Sequence, residues 1–200
     1  AGFPVVAHNR SRDAVEELRA EGAQTASSAA EVARQVDVVF TNLPDTPDVE
    51  QVILGPGGVI EGAHAGLILV DNSTIKPASA RRIADQLVQV GVSALDAPVS
   101  GGDIGARNGT LTIMVGGDVQ ALDKVMPVLL AMGKTVTHIG GPGTGQIAKA
   151  ANQIMVAAQM VAMGELLVFA RKAGADPQKV VEAIKGGAAQ CWTLDVKPPR

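Results

Sequence analysis

Apolar and polar positions follow two rhythms along this chain. Residues 36–44 (VDVVFTNLP) and 66–74 (GLILVDNST) are short, nearly unbroken apolar runs rich in β-branched residues. Such runs mark strands buried on both faces of a parallel sheet. Residues 5–8 form a shorter run of the same kind. Residues 92–102 read as a strand running into a glycine-rich loop, and 109–117 and 134–141 as further strands. Between them lie stretches with helical spacing. These are 11–22, opened near Ser11 or Asp13 and closed by Gly22, then 29–35, 46–54 with Pro47 in its first turn, 76–91 closed by Gly91, and 119–133. Strand and helix in alternation predict an α/β fold around a mainly parallel sheet.

The rhythm changes after Gly145. Residues 147–173 contain no breaker except Gly164 and read as one long helix. Residues 176–187 give another, with Asp176 as N-cap, Pro177 in its first turn and Gly186-Gly187 beyond its end. The expected organisation is an α/β domain over residues 1–140 and the start of an all-α domain over 141–200. Ala1-Gly2 reads as the tail of a helix, and "VKPPR" closes a helical stretch. The expectation is therefore a chain cut from a longer protein at both ends.

Composition narrows the function classes. Lys and Arg number 17 against 20 Asp and Glu, a net charge of −3 with no basic block, and aromatic residues are 2%. Neither an electrostatic footprint for nucleic acid nor a base-stacking platform is present. Cys191 is the only cysteine, which excludes an internal disulfide and a multi-cysteine metal site and suits a reducing, cytoplasmic compartment. His8, His64 and His138 are scattered without metal-ligand spacing, so no metal is expected. The apolar runs are interrupted by charges or glycines, and no membrane span or signal peptide is read.

In a parallel sheet, ligands gather beyond the carboxyl ends of the strands. Those ends read "HNRS" (8–11), "TNLP" (41–44), "DNST" (71–74) and "APVSGG" (97–102), all polar or glycine-rich. "HNRS" stands where a dinucleotide fold meets the adenosine ribose. An acidic residue there would bind the ribose hydroxyls of NAD. Asn9, Arg10 and Ser11 stand instead, and Arg10 suits a 2′-phosphate, favouring NADP over NAD. The plainer alternative is a solvated arginine at a helix start. Ser100, Gly101 and Gly102 offer a hydroxyl and two open backbone N–H groups to an anion such as a carboxylate, or else form an ordinary turn.

"GTGQIA" (143–148) matches the dinucleotide pattern G-x-G-x-x-G/A. A long helix follows it rather than a second strand, so it reads as a helix-capping glycine pair, with a true fingerprint expected before residue 1. Lys149 sits among Ile147, Ala150, Ala151, Ile154 and Met155, most of which would prefer burial. Gln146, Asn152 and Gln153 share its face at helical spacing. A lysine in an apolar wall has its pKa lowered by desolvation and can protonate a carbonyl oxygen as hydride arrives, with Asn152 or Gln153 orienting that oxygen. The alternative is a lysine snorkelling to water. Ser100 lacks a His/Asp partner set, and Asp71 and Asp96 read as turn caps.

Together, the strand-end set, "DAPVSGGDIGARNGTLTIMVGG" and "GTGQIAKAANQ" resemble the β-hydroxyacid dehydrogenases of the 3-hydroxyisobutyrate dehydrogenase type. The resemblance runs along the whole chain. It implies a Rossmann-like domain lacking its first strand and Gly-rich turn, which would precede Ala1, and an all-α domain continuing past Arg200. It implies Lys149 as catalytic acid/base, with Asn152 or Gln153 as the assisting amide. Ser100, Gly101 and Gly102 would hold a substrate carboxylate. Thr74 would approach the nicotinamide ribose, Leu43 and Pro44 would line the dinucleotide, and Asn9, Arg10 and Ser11 would lie near the adenosine ribose. The implied activity is NAD(P)H-dependent reduction of a small semialdehyde, tartronate semialdehyde to glycerate, with 3-hydroxyisobutyrate oxidation as the close alternative. A non-catalytic dinucleotide-binding module is the alternative from another class. The long helix, apolar on more than one face, implies a homo-dimer or homo-tetramer.

Overall fold

The computed structural model describes residues 2–196. The chain forms two compact units, Ala1–Lys149 and Ala150–Arg200. In the first unit, β1 (Val6–Ala7) pairs in parallel with β2 (Gln24–Thr25), joined through α1 (Arg12–Ala20). A six-stranded sheet is built from β3 (Val38–Thr41), β4 (Ile68–Asp71), β5 (Ser93–Asp96), β6 (Val99–Ser100), β7 (Leu111–Gly116) and β8 (Gly133–Gly140). β3, β4 and β5 are parallel neighbours, β7 runs antiparallel to β5 and β6, and β8 is parallel to β7. The connections are α2 (Ala29–Ala33), α3 (Thr46–Leu54), α4 (Val59–Gly62), α5 (Pro77–Val88), α6 (Gly102–Arg107) and α7 (Val119–Met132).

β4 shows why a continuous apolar run becomes a central strand. Leu67 and Leu69 pack into one core with Val39, Ile53, Ile83 and Leu87. Ile68 and Val70 pack into the opposite core with Leu95, Ile113, Val125 and Leu129. Alternate side chains point to opposite faces, so a strand covered by helices on both sides needs apolar residues at every position.

Three elements depart from the sequence expectation. β2 was not expected, because Gln24 and Thr25 are polar and exposed. Backbone bonds define it: Gln24 N–H donates to Val5 C=O at 2.8 Å and Ala26 N–H to Ala7 C=O at 3.0 Å. α4 and α6 were not expected either, being only four and six residues long and glycine-bearing. The strands also divide into two sheets rather than one. A groove of about 640 Å³ lies between them, lined from one side by Val6, Ala7 and Asn9 and from the other by Val38, Thr41 and Leu43.

α8 (Thr144–Lys172) is the expected long helix, 29 residues in all. In the second unit, α9 (Pro177–Ile184) is capped by Asp176, whose carboxylate accepts from Gln178 N–H, and α10 (Trp192–Val196) follows. Met163, Val181 and Leu194 form this unit's small core. The apolar neighbours of Lys149 are not buried as expected: Ile147 is 47%, Ile154 71% and Met155 60% exposed. α8 is also the exception to the expectation of no long apolar run. Its length and a mean hydropathy of 1.6 match a bilayer-crossing helix by length and composition. An apolar helix covered by protein has the same composition.

Candidate active site

The carboxyl ends of β3, β4 and β5 are in register: Thr41 pairs with Asp71, and Asp71 with Asp96. The next residues of each strand therefore open at one end of the sheet, where ligands bind in open parallel sheets. A buried hydrogen-bond network ties these ends together. Asp71 Oδ1 accepts from Thr41 Oγ1 at 2.8 Å, Ser73 N–H at 3.1 Å and Ser73 Oγ at 2.5 Å. Ser73 Oγ accepts from Leu43 N–H at 2.9 Å, and Asn72 Nδ2 donates to Ala97 C=O at 2.7 Å. Burial raises the Asp71 carboxyl above the usual range, against the pull of these donors. Its Oδ2 is buried with no hydrogen-bond partner among the described residues.

The expected residues of these loops face outward. Thr74 is exposed between buried Ser73 and Ile75, and Pro44 is exposed beside half-buried Leu43. Asn9 and Leu43 line the same groove. Arg10 and Ser11 are exposed at the start of α1. Ser11 is the N-cap by backbone geometry but makes no side-chain cap bond, and Arg10 has no ion-pair partner among the described residues. Arg10 is thus an exposed guanidinium beside a strand end, and the groove that Asn9 and Leu43 line is otherwise mostly apolar, with Val5, Val39, Phe40 and Val128 among its walls.

Ser100 ends β6, opposite Thr112 on β7. Gly101 (φ +134) and Gly102 (φ +63) then turn the chain into α6. Only glycine adopts two such conformations in succession without strain, which presents consecutive N–H groups at an exposed turn.

The glycines before Lys149 have a role that the dinucleotide pattern does not describe. Gly143 N–H donates to Asp96 Oδ1 at 2.7 Å and Gln146 N–H to Asp96 Oδ2 at 2.9 Å. A buried carboxylate thus caps the start of α8, and burial raises that carboxyl while the helix N–H groups pull it down. A Cβ on Gly145 would come within 2.4 Å of the carbonyl oxygens of both Asp96 and Met114. Helix and sheet approach too closely for any side chain. No strand follows β8 among the described residues, in keeping with "GTGQIA" not being a pyrophosphate fingerprint.

Lys149 lies one turn beyond this cap. It is half-buried and without a hydrogen-bond or ion-pair partner among the described residues, and desolvation lowers its pKa. The expected polar stripe is corrected at one position. Gln146 is not beside Lys149 on an open face but 2% exposed, bonded to the backbone of Ser73 and Ile75. Asn152 and Gln153 are on α8 within the second unit, where Asn152 Nδ2 donates to Gln153 Oε1 at 3.0 Å. Sequence reasoning missed Asp96 as the α8 cap, since its partners lie 47 and 50 residues away.

Comparison with known proteins agrees with this architecture. Residues 1–140 match the NAD-binding domain of 6-phosphogluconate dehydrogenase, and residues 143–200 match the NAD-binding domain of NADP-dependent 3-hydroxyisobutyrate dehydrogenase. The 2-hydroxy-3-oxopropionate reductase of Escherichia coli is 45% identical over 92% of this chain and 63% of its own length. An oxidoreductase of Bacillus subtilis, YkwC, is 40% identical over 100% of this chain and 69% of its own. The Mycobacterium tuberculosis 3-hydroxyisobutyrate dehydrogenase structure superposes with a TM-score of 0.90 at 34% identity, covering 100% of this chain and 68% of that one. The capped lysine helix, the Ser-Gly-Gly turn and the paired strand ends therefore belong to a member of the 3-hydroxyisobutyrate dehydrogenase-like β-hydroxyacid dehydrogenases, a family of NAD(P)-dependent oxidoreductases.

Proposed function

We propose that this chain carries the proton-transfer and carboxylate-binding machinery for NAD(P)H-dependent reduction of tartronate semialdehyde to glycerate. The carrying observation is Lys149, a half-buried ammonium with no partner among the described residues, one turn beyond a cap fixed to the end of β5. A bound dihydronicotinamide would supply the hydride. Lys149 gives its proton to the aldehyde oxygen, the C=O becomes CH–OH, and the neutral amine recovers a proton from water. Its depressed pKa brings donor strength nearer to neutral pH.

In this reading Ser100 and the N–H groups of Gly101 and Gly102 hold the substrate carboxylate. Thr74 faces the nicotinamide ribose, and Leu43 and Pro44 line the dinucleotide. Asn9, Arg10 and Ser11 face the adenosine ribose, with Arg10 favouring NADP. Asn152 and Gln153, further along the same helix, are the candidate amides for orienting the carbonyl. The dinucleotide domain is read as residues 1–140 and the helical domain as starting at 141. The exposed apolar residues of α8, among them Ile154, Val161 and Phe169, support its burial in a homo-dimer or homo-tetramer. The free thiol of Cys191 suits a cytoplasmic setting.

The test is a substrate panel on the intact protein. Values of kcat/KM are compared for tartronate semialdehyde and 3-hydroxyisobutyrate, each with both dinucleotides. A higher value for 3-hydroxyisobutyrate reassigns the substrate, which the 3-hydroxyisobutyrate dehydrogenase likeness favours. Dinucleotide binding without turnover of any small hydroxy acid or semialdehyde would mark a non-catalytic module. Lys149→Ala should lower kcat by orders of magnitude with near-normal dinucleotide binding.

A further inference from the structure

Gln146 joins the lysine helix to the β4 loop through a single side chain. Its Oε1 accepts from Ile75 N–H at 3.0 Å and its Nε2 donates to Ser73 C=O at 2.8 Å. Its own N–H is held by Asp96 Oδ2 at 2.9 Å. The two backbone groups it grips flank Thr74, whose side chain is exposed. Lys149 follows three residues later, a rise of about 4.5 Å along the helix. We propose that Gln146 is a positioning residue for proton transfer, setting the Lys149 ammonium at a fixed height and angle relative to the Thr74 loop. This rests on the reading of Lys149 as the proton donor and of the Thr74 loop as the nicotinamide side.

The chemistry of the contact selects glutamine. One N–H and one C=O must be satisfied from the same direction in a site that is 2% exposed. A primary amide of this length supplies one acceptor and one donor. An ionised glutamate supplies acceptors only and sets a carboxylate against Ser73 C=O. Methionine matches the length and offers neither bond. Asparagine is one methylene short. With the contact broken, two buried backbone groups lose their partners, and the helix start and the loop become free to drift apart.

The experiment compares Gln146→Met and Gln146→Glu with the native protein. An apo measurement reads the contact directly: amide hydrogen exchange at Ile75 should accelerate in Gln146→Met. Turnover should fall about 10- to 100-fold, the loss associated with a displacement near 1 Å at a reacting group. The dinucleotide Kd should stay within threefold, and the solvent deuterium isotope effect on kcat should rise. In Gln146→Glu, activity and Ile75 protection should return toward native values as the pH falls, because only the neutral acid provides both a donor and an acceptor. Each pH point is compared within one variant, so the test survives if the methionine variant folds poorly. Gln146→Met with turnover and exchange both within threefold of native overturns the proposal, as does a Gln146→Glu profile parallel to the native one. If Lys149→Ala leaves turnover unchanged, the functional reading fails and takes this proposal with it. If Lys149→Ala abolishes turnover while Gln146→Met does not, this proposal alone fails.

Discussion

Gly145→Ala adds a single methyl group at the start of α8, where the geometry leaves no room for it. The new Cβ would stand 2.4 Å from the backbone oxygens of Asp96 and Met114 and 2.9 Å from Asp96 Oδ2. Two of these are main-chain atoms of paired strands, so relief must come from the helix, which has to move by about 1 Å to reach ordinary van der Waals separation. At least one of the bonds from Gly143 and Gln146 to Asp96, now 2.7 and 2.9 Å, would then exceed hydrogen-bonding length. Overpacking costs about 1–3 kcal/mol. Losing one bond to the buried carboxylate costs about 1.5–3 kcal/mol more. Alanine returns about 0.5–1 kcal/mol of helix propensity. The net is a destabilisation of about 2–5 kcal/mol, and at about 2–4 °C per kcal/mol for a chain of this size the melting temperature should fall by about 4–20 °C. Gly141→Ala is the control, because a Cβ there meets nothing within 4 Å. Its effect should stay within about 0.5 kcal/mol. The assay is thermal unfolding of the intact protein followed by circular dichroism. If Gly145→Ala and Gly141→Ala melt within 2 °C of each other, roughly the resolution of the comparison, the close seating of α8 on β5 and β7 is refuted.

Other outcomes follow from the same geometry. Reduction needs the protonated ammonium of Lys149, and desolvation places its pKa below the ordinary lysine value. The reductive rate should therefore fall on the alkaline side at a lower pH than an exposed lysine would give, and an alkaline limb at or above the ordinary value would count against a desolvated donor. Arg10→Ala should raise KM for NADPH about tenfold while changing KM for NADH little. Equal effects on both would identify Arg10 as a plain surface residue. Gly164 is exposed within α8 with nothing near its would-be Cβ, so Gly164→Ala should stabilise the protein by about 0.5–1 kcal/mol, read by chemical denaturation.

Much of the fold was legible because its signals are local. The run 66–74 had to be a strand covered on both faces, and residues 147–173 had to be a helix, since the rhythm of apolar positions matches one backbone period and not the other. Asp176-Pro177 and Pro47 announce helix starts by local chemistry. β2, α4 and α6 were not legible, because each is short and is held by backbone bonds to distant strands or by packing rather than by its own pattern.

The site divides in the same way. The sequence by itself determined the inventory: polar carboxyl ends on apolar strands, a Ser-Gly-Gly turn, and a lysine near the start of a long helix, whose joint pattern identifies the family. Only the tertiary structure decided what the glycines before Lys149 and the residues Asp96 and Gln146 do. Gly145 is required by two carbonyl oxygens, one of them about fifty residues away on β5, and Gln146 by backbone groups 71 and 73 residues away. Such contacts leave no trace in local periodicity. Hydrogen bonds and steric contacts act over 3 Å in space, whatever the distance along the chain.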